Sequence, residues 1–279
     1  MRIGVRAHDF GKLPPEELAA RVAACGMSCV QLALSKAIAG LDLRPGQLNP
    51  GLAFEVGEAF RRHRVQIAVL GCYINPIHPD PAVRRGLLDL FKEHIRHARD
   101  FGNSIVALET GSLNADYSPH QDNGSEEAFS MMVESIGELV SEAEKFGVIV
   151  GVEAVTTHTV STPARMRRLL DRISSNNIQV VFDPVNLLSL ENHGRQDEVV
   201  REALELFGDR IAIVHAKDFV VEDGAMKTVR AGRGLFDYRP VLRWIEENKP
   251  SLSVLLEEAG ESTASECAAH LRESLAAAG

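Results

Sequence analysis

The chain has 279 residues, of which 45% are hydrophobic and 25% charged, and its formal net charge is −9. This composition is typical of a globular protein, and the acidic balance argues against a protein that binds nucleic acid through bulk electrostatics. No apolar run approaches the ~18 residues of a membrane span, and the first residues lack the apolar stretch of a secretory signal. A cytoplasmic protein with no nucleic-acid or membrane partner is therefore expected.

Eight short apolar runs alternate with longer amphipathic segments along the chain. Most of the runs are apolar throughout, as expected of parallel strands that are buried on both faces. The runs are IGV near Ile3, CVQLAL from Cys29, QIAVLGCY from Gln66, SIVALE from Ser104, VIVGVE from Val148, IQVVFD from Ile178, RIAIVHAK from Arg210 and SLSVLLE from Ser251.

The segments between these runs carry signals for helix ends. Two capping residues precede a proline, which is favoured at the first helical position: Asp80 and Thr162. Glycine follows phenylalanine at three predicted helix ends, where it is available for a left-handed cap: Gly102, Gly147 and Gly208.

Eight strand–helix units over this length predict a (β/α)8 TIM barrel in the α/β class, formed by one domain over residues 1–279. A doubly wound open sheet is the alternative. It is disfavoured because VRAHDFGK follows the first strand, where such a sheet carries a glycine-rich fingerprint.

Three long polar segments follow predicted strands, over residues 35–52, 110–124 and 219–235. Barrel enzymes place their active sites at the carboxyl ends of the strands, and connections of this length are uncommon unless they are functional. We expect these segments to cover a small substrate at the barrel mouth. Tolerated surface insertions are the alternative.

Four acidic or imidazole side chains stand where a predicted strand ends: Glu153, Asp183, His215 and Glu257. They are 30, 32 and 42 residues apart, close to the length of one strand plus one helix, so parallel neighbouring strands bring them to the same end of the sheet. Three carboxylates and one imidazole predict a site for one divalent metal ion. Oxygen-rich ligation with one nitrogen favours Mn²⁺, with Mg²⁺, Co²⁺ or Zn²⁺ as alternatives. Structural ion pairs with neighbouring lysines or arginines are the competing interpretation.

With these residues in view, the chain resembles the sugar phosphate isomerase/epimerase family of xylose isomerase-like TIM barrels. The resemblance covers nearly the whole length and rests on the order and spacing of VRAHDF, LETGS, VEAVTTHT, FDPVN, VHAKD and LLEEAG. This family is similar to ketose 3-epimerases, hydroxypyruvate isomerase, inosose dehydratase and, more distantly, endonuclease IV. The resemblance implies a metal-dependent isomerase or epimerase in carbohydrate metabolism, with the four strand-end residues as metal ligands. It also implies a homodimer or homotetramer.

The sequence departs from two patterns of these relatives. Many of the epimerases carry a histidine three residues after the strand-six aspartate, where this chain has Asn186, so the substrate contacts there are expected to differ. Endonuclease IV-like enzymes need extra histidines for further metal ions, but here strand three ends in GCY and strand four in Glu109. Both the missing ligands and the acidic charge argue against a DNA-repair nuclease.

The chemistry that the resemblance implies requires removal of a carbon-bound proton next to a carbonyl, and a divalent ion stabilises the enediolate that forms. Glu153 and Glu257 are the expected acid/base pair, because strands five and eight place one carboxylate on each face of a substrate held between them. The expected substrate is a small sugar, sugar phosphate or related polyol ketone.

A dehydratase of a cyclic polyol ketone such as an inosose begins with the same proton abstraction and is the alternative. A non-catalytic sugar-binding barrel would predict a failed metal site.

Six further residues are candidates for substrate binding: His8, Glu109, His158, Asn186, Lys217 and Arg230. Lys217 lies two residues past His215 and projects to the same side of its strand, where it either binds a substrate oxygen or neutralises Glu153 and Glu257. Arg230 lies in the glycine-containing segment VRAGRGLFDY and is a candidate for a phosphate or hydroxyl contact, with a solvated loop charge as the alternative. A satisfied core histidine is the alternative for His8.

Overall fold

The computed structural model describes residues 1–41 and 43–277. Residue 42, which falls within the predicted 35–52 segment, and residues 278–279 lie outside the described residues.

Eight parallel strands close into a barrel, as the sequence predicts. The barrel strands are β1 (Arg2–Arg6), β2 (Cys29–Leu32), β3 (Gln66–Gly71), β4 (Ile105–Glu109), β5 (Ile149–Glu153), β6 (Ile178–Phe182), β7 (Ile211–Ala216) and β10 (Ser253–Leu256). Two further strands, β8 (Asp218–Glu222) and β9 (Ala225–Val229), form a separate two-stranded sheet. The order around the barrel is β1-β10-β7-β6-β5-β4-β3-β2, and β1 closes it by pairing with β10 from Arg2↔Ser253 to Val5↔Leu256. This closure excludes the open sheet and confirms the (β/α)8 TIM barrel.

Helices cover the outside of the barrel. They are α1 (Pro15–Ala24), α2 (Leu34–Ala37), α3 (Pro50–Arg62), α4 (Pro81–His97), α5 (Glu126–Phe146), α6 (Pro163–Arg172), α7 (Gln196–Phe207), α8 (Arg239–Asn248) and α9 (Ala264–Ala276). Two of their predicted starts are confirmed. Asp80 Oδ1 accepts the backbone N–H of Ala82 at 2.8 Å, and Thr162 Oγ1 accepts that of Arg165 at 3.2 Å. Within residues 1–41 and 43–277, none of the helices combines the length and the apolar character that a membrane span requires.

The three glycines predicted at helix ends serve two different purposes. Gly102 and Gly147 have φ angles of 76° and 62°, so the left-handed expectation is confirmed there. It is wrong at Gly208, where φ is −56°. A Cβ atom at Gly208 would lie 2.7 Å from Cζ2 of Trp244 on α8, so this glycine makes room for an indole ring. A neighbour so distant in sequence cannot be read from the local pattern.

The segment over residues 219–235 contains an antiparallel hairpin that the sequence analysis missed. Strands β8 and β9 pair from Asp218↔Val229 to Glu222↔Ala225. Asp223 and Gly224 form the turn with φ angles of 53° and 72°. An Asp-Gly pair with two positive φ values is typical of a type I′ hairpin turn, so this dipeptide was the available signal.

The core has two parts, and the smaller one fills the barrel. Most buried apolar side chains pack between the strands and the outer helices. A separate cluster draws on six of the barrel strands: Cys29, Ala68, Val69, Ala107, Val181, Ile213 and Leu255. These side chains occupy the barrel interior below the mouth, and the polar strand-end residues lie above them.

Candidate metal centre and active site

The four strand-end residues reach one buried site. Glu153 is the last residue of β5, Asp183 follows β6, His215 lies in β7 and Glu257 follows β10. None of them is more than 6% exposed. Nδ1 of His215 lies 3.2 Å from Glu153 Oε1 and 3.4 Å from Glu257 Oε1, so one imidazole stands between two carboxylates that come from different strands.

Three of these residues have the geometry of a metal site. Glu153, Asp183 and His215 each offer one ligand atom, and these atoms lie within 4.8 Å of one another. Ligands at about 2.0–2.4 Å from an ion lie at most about 4–4.8 Å apart, so a divalent cation fits among them. In the described part of the chain, Nε2 of the fully buried His215 has no hydrogen-bond partner. The residues present therefore suit a divalent ion.

A buried lysine supplies the positive charge opposite the carboxylates. Lys217 Nζ lies 2.9 Å from Asp183 Oδ2 and 3.0 Å from Glu257 Oε2, and the Tyr238 hydroxyl donates to the Lys217 carbonyl. Burial alone would raise the pKa of Glu257, but Lys217 and His215 hold that pKa well below its ordinary range. Lys217 thus neutralises two of the carboxylates, Asp183 and Glu257. Glu257 is one of the two glutamates that the sequence predicts to be the acid/base pair.

The imidazole of His215 is charged when no metal is bound. Burial lowers its pKa, but the carboxylates of Glu153 and Glu257 outweigh burial and raise the pKa to about 9. A metal ion binds the neutral imidazole, so metal uptake at neutral pH displaces this proton.

Asn186 orients the glutamate of β5. Its side-chain amide donates to Glu153 Oε1 at 2.7 Å. The Asp183 carboxylate fixes the turn that carries this asparagine, because its Oδ1 accepts the backbone N–H groups of Val185 at 2.9 Å and Asn186 at 3.1 Å. Asn186 also lines the cavity at the barrel mouth, so it contacts Glu153 and also faces the space that a substrate would fill.

Glu109 and His158 lie together on the neighbouring side of the mouth. Glu109 ends β4 and pairs in register with Glu153, and its Oε2 lies 3.6 Å from His158 Nδ1. Burial and the charge of Glu153 raise the pKa of Glu109 to about 7. Burial lowers the pKa of His158 to about 4, so this imidazole is neutral, and its ring meets the edge of Tyr117 at 5.0 Å between centroids.

A cavity of about 150 Å³ opens beside these groups. Its lining includes Arg6, His8, Lys36, Tyr73, Glu109, Glu153, Val155, Asn186, Lys217, Glu257 and Glu258. A groove of about 770 Å³ between α7 and α8 is larger, but it lies in the outer helical layer, away from the strand ends. The smaller cavity is the one in which the titratable groups converge.

The structure brings five of the six substrate-binding candidates to this region and places Arg230 elsewhere. Arg230 Nη2 lies 3.6 Å from Glu266 on α9 and is not among the cavity-lining residues. Its contact with a substrate stays a prediction.

Five lining residues were not among the candidates from the sequence: Arg6, Lys36, Tyr73, Val155 and Glu258. Arg6 is the last residue of β1, and its Nη1 lies 3.4 Å from Glu257 Oε2. Its end-of-strand position was the same signal that identified the four acidic and imidazole residues. Lys36 and Tyr73 follow β2 and β3 within connecting segments, where side-chain direction cannot be read from a strand period.

The family model that matches this sequence is the xylose isomerase-like TIM barrel, over residues 19–276. The chain belongs to this family. No curated protein matches the sequence. Among solved structures, a D-tagatose 3-epimerase-like protein has a TM-score of 0.79 at 19% identity, with 100% of this chain and 98% of that chain covered.

Two further similar structures were solved with a metal. The IOLI protein with a bound zinc atom has a TM-score of 0.74 at 17% identity, with 100% of this chain and 98% of that chain covered. A xylose isomerase-like TIM barrel protein from Mycobacterium smegmatis in complex with magnesium has a TM-score of 0.72 at 15% identity, with 99% and 94% covered. At these identities the likeness shows the fold alone.

In this xylose isomerase-like barrel, one buried carboxylate organises the segment after the hairpin. Asp218 Oδ1 accepts the backbone N–H groups of Phe219 and Phe236, each at 2.8 Å. Its Oδ2 accepts those of Gly232 at 3.1 Å and Gly234 at 2.9 Å. The carboxylate therefore fixes the backbone that follows Arg230.

We expect Asp218→Asn to lower the free energy of unfolding by about 2 kcal/mol, because an amide NH₂ cannot accept the two N–H groups that now meet one carboxylate oxygen. Urea unfolding measures this loss. Asp223→Asn at the exposed hairpin turn is the matched control, since asparagine tolerates its left-handed φ of 53°. Equal stability of the two variants would contradict the role of Asp218.

Proposed function

We propose that this chain is a divalent-metal-dependent isomerase or epimerase that acts on a small sugar, sugar phosphate or related polyol ketone. One observation carries the proposal: carboxylate oxygens of Glu153 and Glu257 both lie within 3.4 Å of Nδ1 of His215. Asp183 lies in the same cluster. Each of these carboxylates is costly to bury, and without a metal ion Lys217 and the protonated His215 offset their mutual repulsion. A divalent ion would replace the His215 proton in that role and create a reactive site.

Glu153, Asp183, His215 and Glu257 would hold the ion, with Mn²⁺ as the proposed metal. When bound, a divalent ion supplies positive charge that polarises a carbonyl oxygen and acidifies the neighbouring carbon. Its fit rests on three ligand atoms, one each from Glu153, Asp183 and His215, that lie within 4.8 Å of one another.

Glu153 and Glu257 would move the proton. They extend from β5 and β10, which β6 and β7 separate around the barrel, so the two carboxylates approach a substrate from different directions. The Asn186 amide orients Glu153 Oε1 at 2.7 Å, and Lys217 at 3.0 Å holds Glu257 in its ionised form. One carboxylate accepts the proton from carbon, and the other, in its protonated form, returns a proton to the receiving atom.

A dehydratase of a cyclic polyol ketone is the second candidate, because Glu109 lines the same cavity and the pKa of its carboxyl is raised to about 7 by burial and Glu153. A carboxyl that is partly protonated at neutral pH can give a proton to a leaving hydroxyl. Loss of water from the substrate distinguishes this reaction from isomerisation.

Deuterium exchange tests the proposal even when the product is unidentified. The metal-loaded protein is incubated in D₂O with ketoses, sugar phosphates and cyclic polyol ketones, and the substrates are analysed by NMR and mass spectrometry. We expect deuterium on the carbon next to a carbonyl, with no loss of water for an isomerase or epimerase and with an enone product for a dehydratase. Absence of exchange across the panel with each of the four candidate metals would contradict the proposed chemistry.

A further inference from the structure

The wall of the cavity opposite the metal candidates carries hydrogen-bond donors that the proposed reaction does not use. Around the barrel, β2 is four strands from β6 in either direction, so the segment after β2 lies directly across the mouth from Asp183. Lys36 lies in α2 just after β2, Tyr73 follows β3 and His8 follows β1. All three line the cavity.

Lys36 is a lining cation without a carboxylate partner in the part of the chain that the structure describes. Its Nζ lies 4.9 Å from the centroid of the Tyr73 ring, and no salt bridge accompanies this contact. The other two lining cations are paired. Lys217 contacts Asp183 and Glu257, and Arg6 contacts Asp9 at 2.9 Å and Glu258 at 3.1 Å as well as Glu257.

The backbone and the ring beneath Lys36 are held in place. The Lys36 N–H donates to the Ala33 carbonyl at 3.0 Å, and Ile38 just beyond bridges to Leu13. The side-chain amide of Gln31 donates to the Tyr73 hydroxyl, so the phenolic proton stays free to donate toward the cavity. The ammonium therefore rests on a fixed aromatic face rather than on a mobile loop.

His8 adds a third polar group to this wall. Its Nδ1 is buried and has no hydrogen-bond partner among the described residues. Burial, followed by the charges of Arg6 and Lys36, lowers the pKa of His8 to about 4, so the ring is neutral and one of its nitrogens carries a proton.

The charges across the mouth favour an anion on this side. Three carboxylates, Lys217 and a divalent ion together are close to neutral at the metal candidates. Among the other lining acids, Glu258 is paired with Arg6, and Glu109 lies on the Glu153 side of the mouth, next to the neutral His158. The ammonium of Lys36, which has no salt bridge in the described structure, therefore gives this wall a positive charge. The Tyr73 phenol and the His8 imidazole beside it offer directed hydrogen bonds.

We propose that Lys36, Tyr73 and His8 form a subsite for an anionic group, a carboxylate or a phosphate, at the end of the substrate remote from the metal. The inference rests on the proposed function, because the remote end is defined by the metal site. The cavity of about 150 Å³ is small, which suits a short hydroxy-acid or a small phosphate ester.

The test compares three ligands that share a vicinal diol and differ at the other end: 1,2,4-butanetriol, 3,4-dihydroxybutanoate and glycerol 3-phosphate. Their affinities for the Mg²⁺-loaded full chain are measured by isothermal titration calorimetry at 0.15 M salt. We expect at least one anionic ligand to bind about tenfold more tightly than the neutral one, because one charge-assisted hydrogen bond raises an affinity by about that factor. The tighter of the two anions identifies the group as a carboxylate or a phosphate.

Lys36→Met is expected to abolish this preference, and Tyr73→Phe to reduce it about threefold while keeping the ring beneath the ammonium. Lys12→Met is the matched control, because Lys12 follows β1 but is not among the lining residues, and it should keep the preference. Equal binding of neutral and anionic ligands by the unmodified protein, or an unchanged preference in Lys36→Met, would overturn the inference. Failure of the proposed function has a separate signature: anion preference persists, but no deuterium exchange occurs.

Discussion

Replacing Glu153 with glutamine is expected to lower kcat by about 10²–10⁴-fold, the range that general acid–base catalysis contributes, while the barrel stays folded. Glutamine keeps the volume of the buried side chain but cannot accept a proton from carbon. We expect the same loss for Glu257→Gln. Both variants are assayed for deuterium exchange at saturating metal, and their thermal unfolding is followed by circular dichroism.

Glu222→Gln is the control for this pair, because Glu222 lies on the exposed hairpin and pairs only with Lys227 in the described structure. It should keep full turnover. If Glu153→Gln or Glu257→Gln retained near-normal turnover on a substrate that the unmodified protein converts, the assignment of the two glutamates as acid and base would be wrong.

Lys217→Met is expected to destabilise the metal-free protein by about 3–5 kcal/mol, because it leaves Asp183 and Glu257 buried without their counter-charge. A bound divalent ion restores that charge, so excess Mg²⁺ should stabilise the variant more than it stabilises the unmodified protein. Urea unfolding with a chelator and then with Mg²⁺ measures both effects.

The exposed pair of Lys227 and Glu222, at 3.0 Å, gives the matched control. Lys227→Met should change the free energy of unfolding by no more than about 1 kcal/mol, with or without metal. Two results would contradict the idea that Lys217 and the metal share one carboxylate cluster. The first is equal stability of Lys217→Met and the unmodified protein in chelator, and the second is an equal gain in stability of both proteins from Mg²⁺.

The barrel was predictable because its strands are buried on both faces, which makes each one a continuous apolar run. The same reasoning failed for β8 and β9, because β8 is buried only at its first two residues and β9 is largely exposed, so neither strand forms a long apolar run. The Asp223-Gly224 turn was the available signal. Gly208 was misjudged for a related reason: its conformation is ordinary, and its need for glycine comes from Trp244 on another helix.

The convergence of Glu153, Asp183, His215 and Glu257 could be predicted because parallel strands end at one face of a barrel. The partners of these residues could not. The Asn186 amide reaches Glu153 through a turn fixed by Asp183, and Lys36 rests on Tyr73 through two connecting segments. Such contacts depend on loop geometry, for which strand periodicity carries no information.

Elemental analysis of the purified protein measures whether one divalent ion binds among the strand-end residues. The unmodified chain is compared with Asp183→Ala and His215→Ala, and with His97→Ala on α4 as the control. We expect about one divalent ion per chain in the unmodified protein and the control, and its loss in both ligand variants. Two results would contradict binding of the ion by these residues: no metal in the unmodified protein after incubation with excess ion, or full retention of metal in both ligand variants.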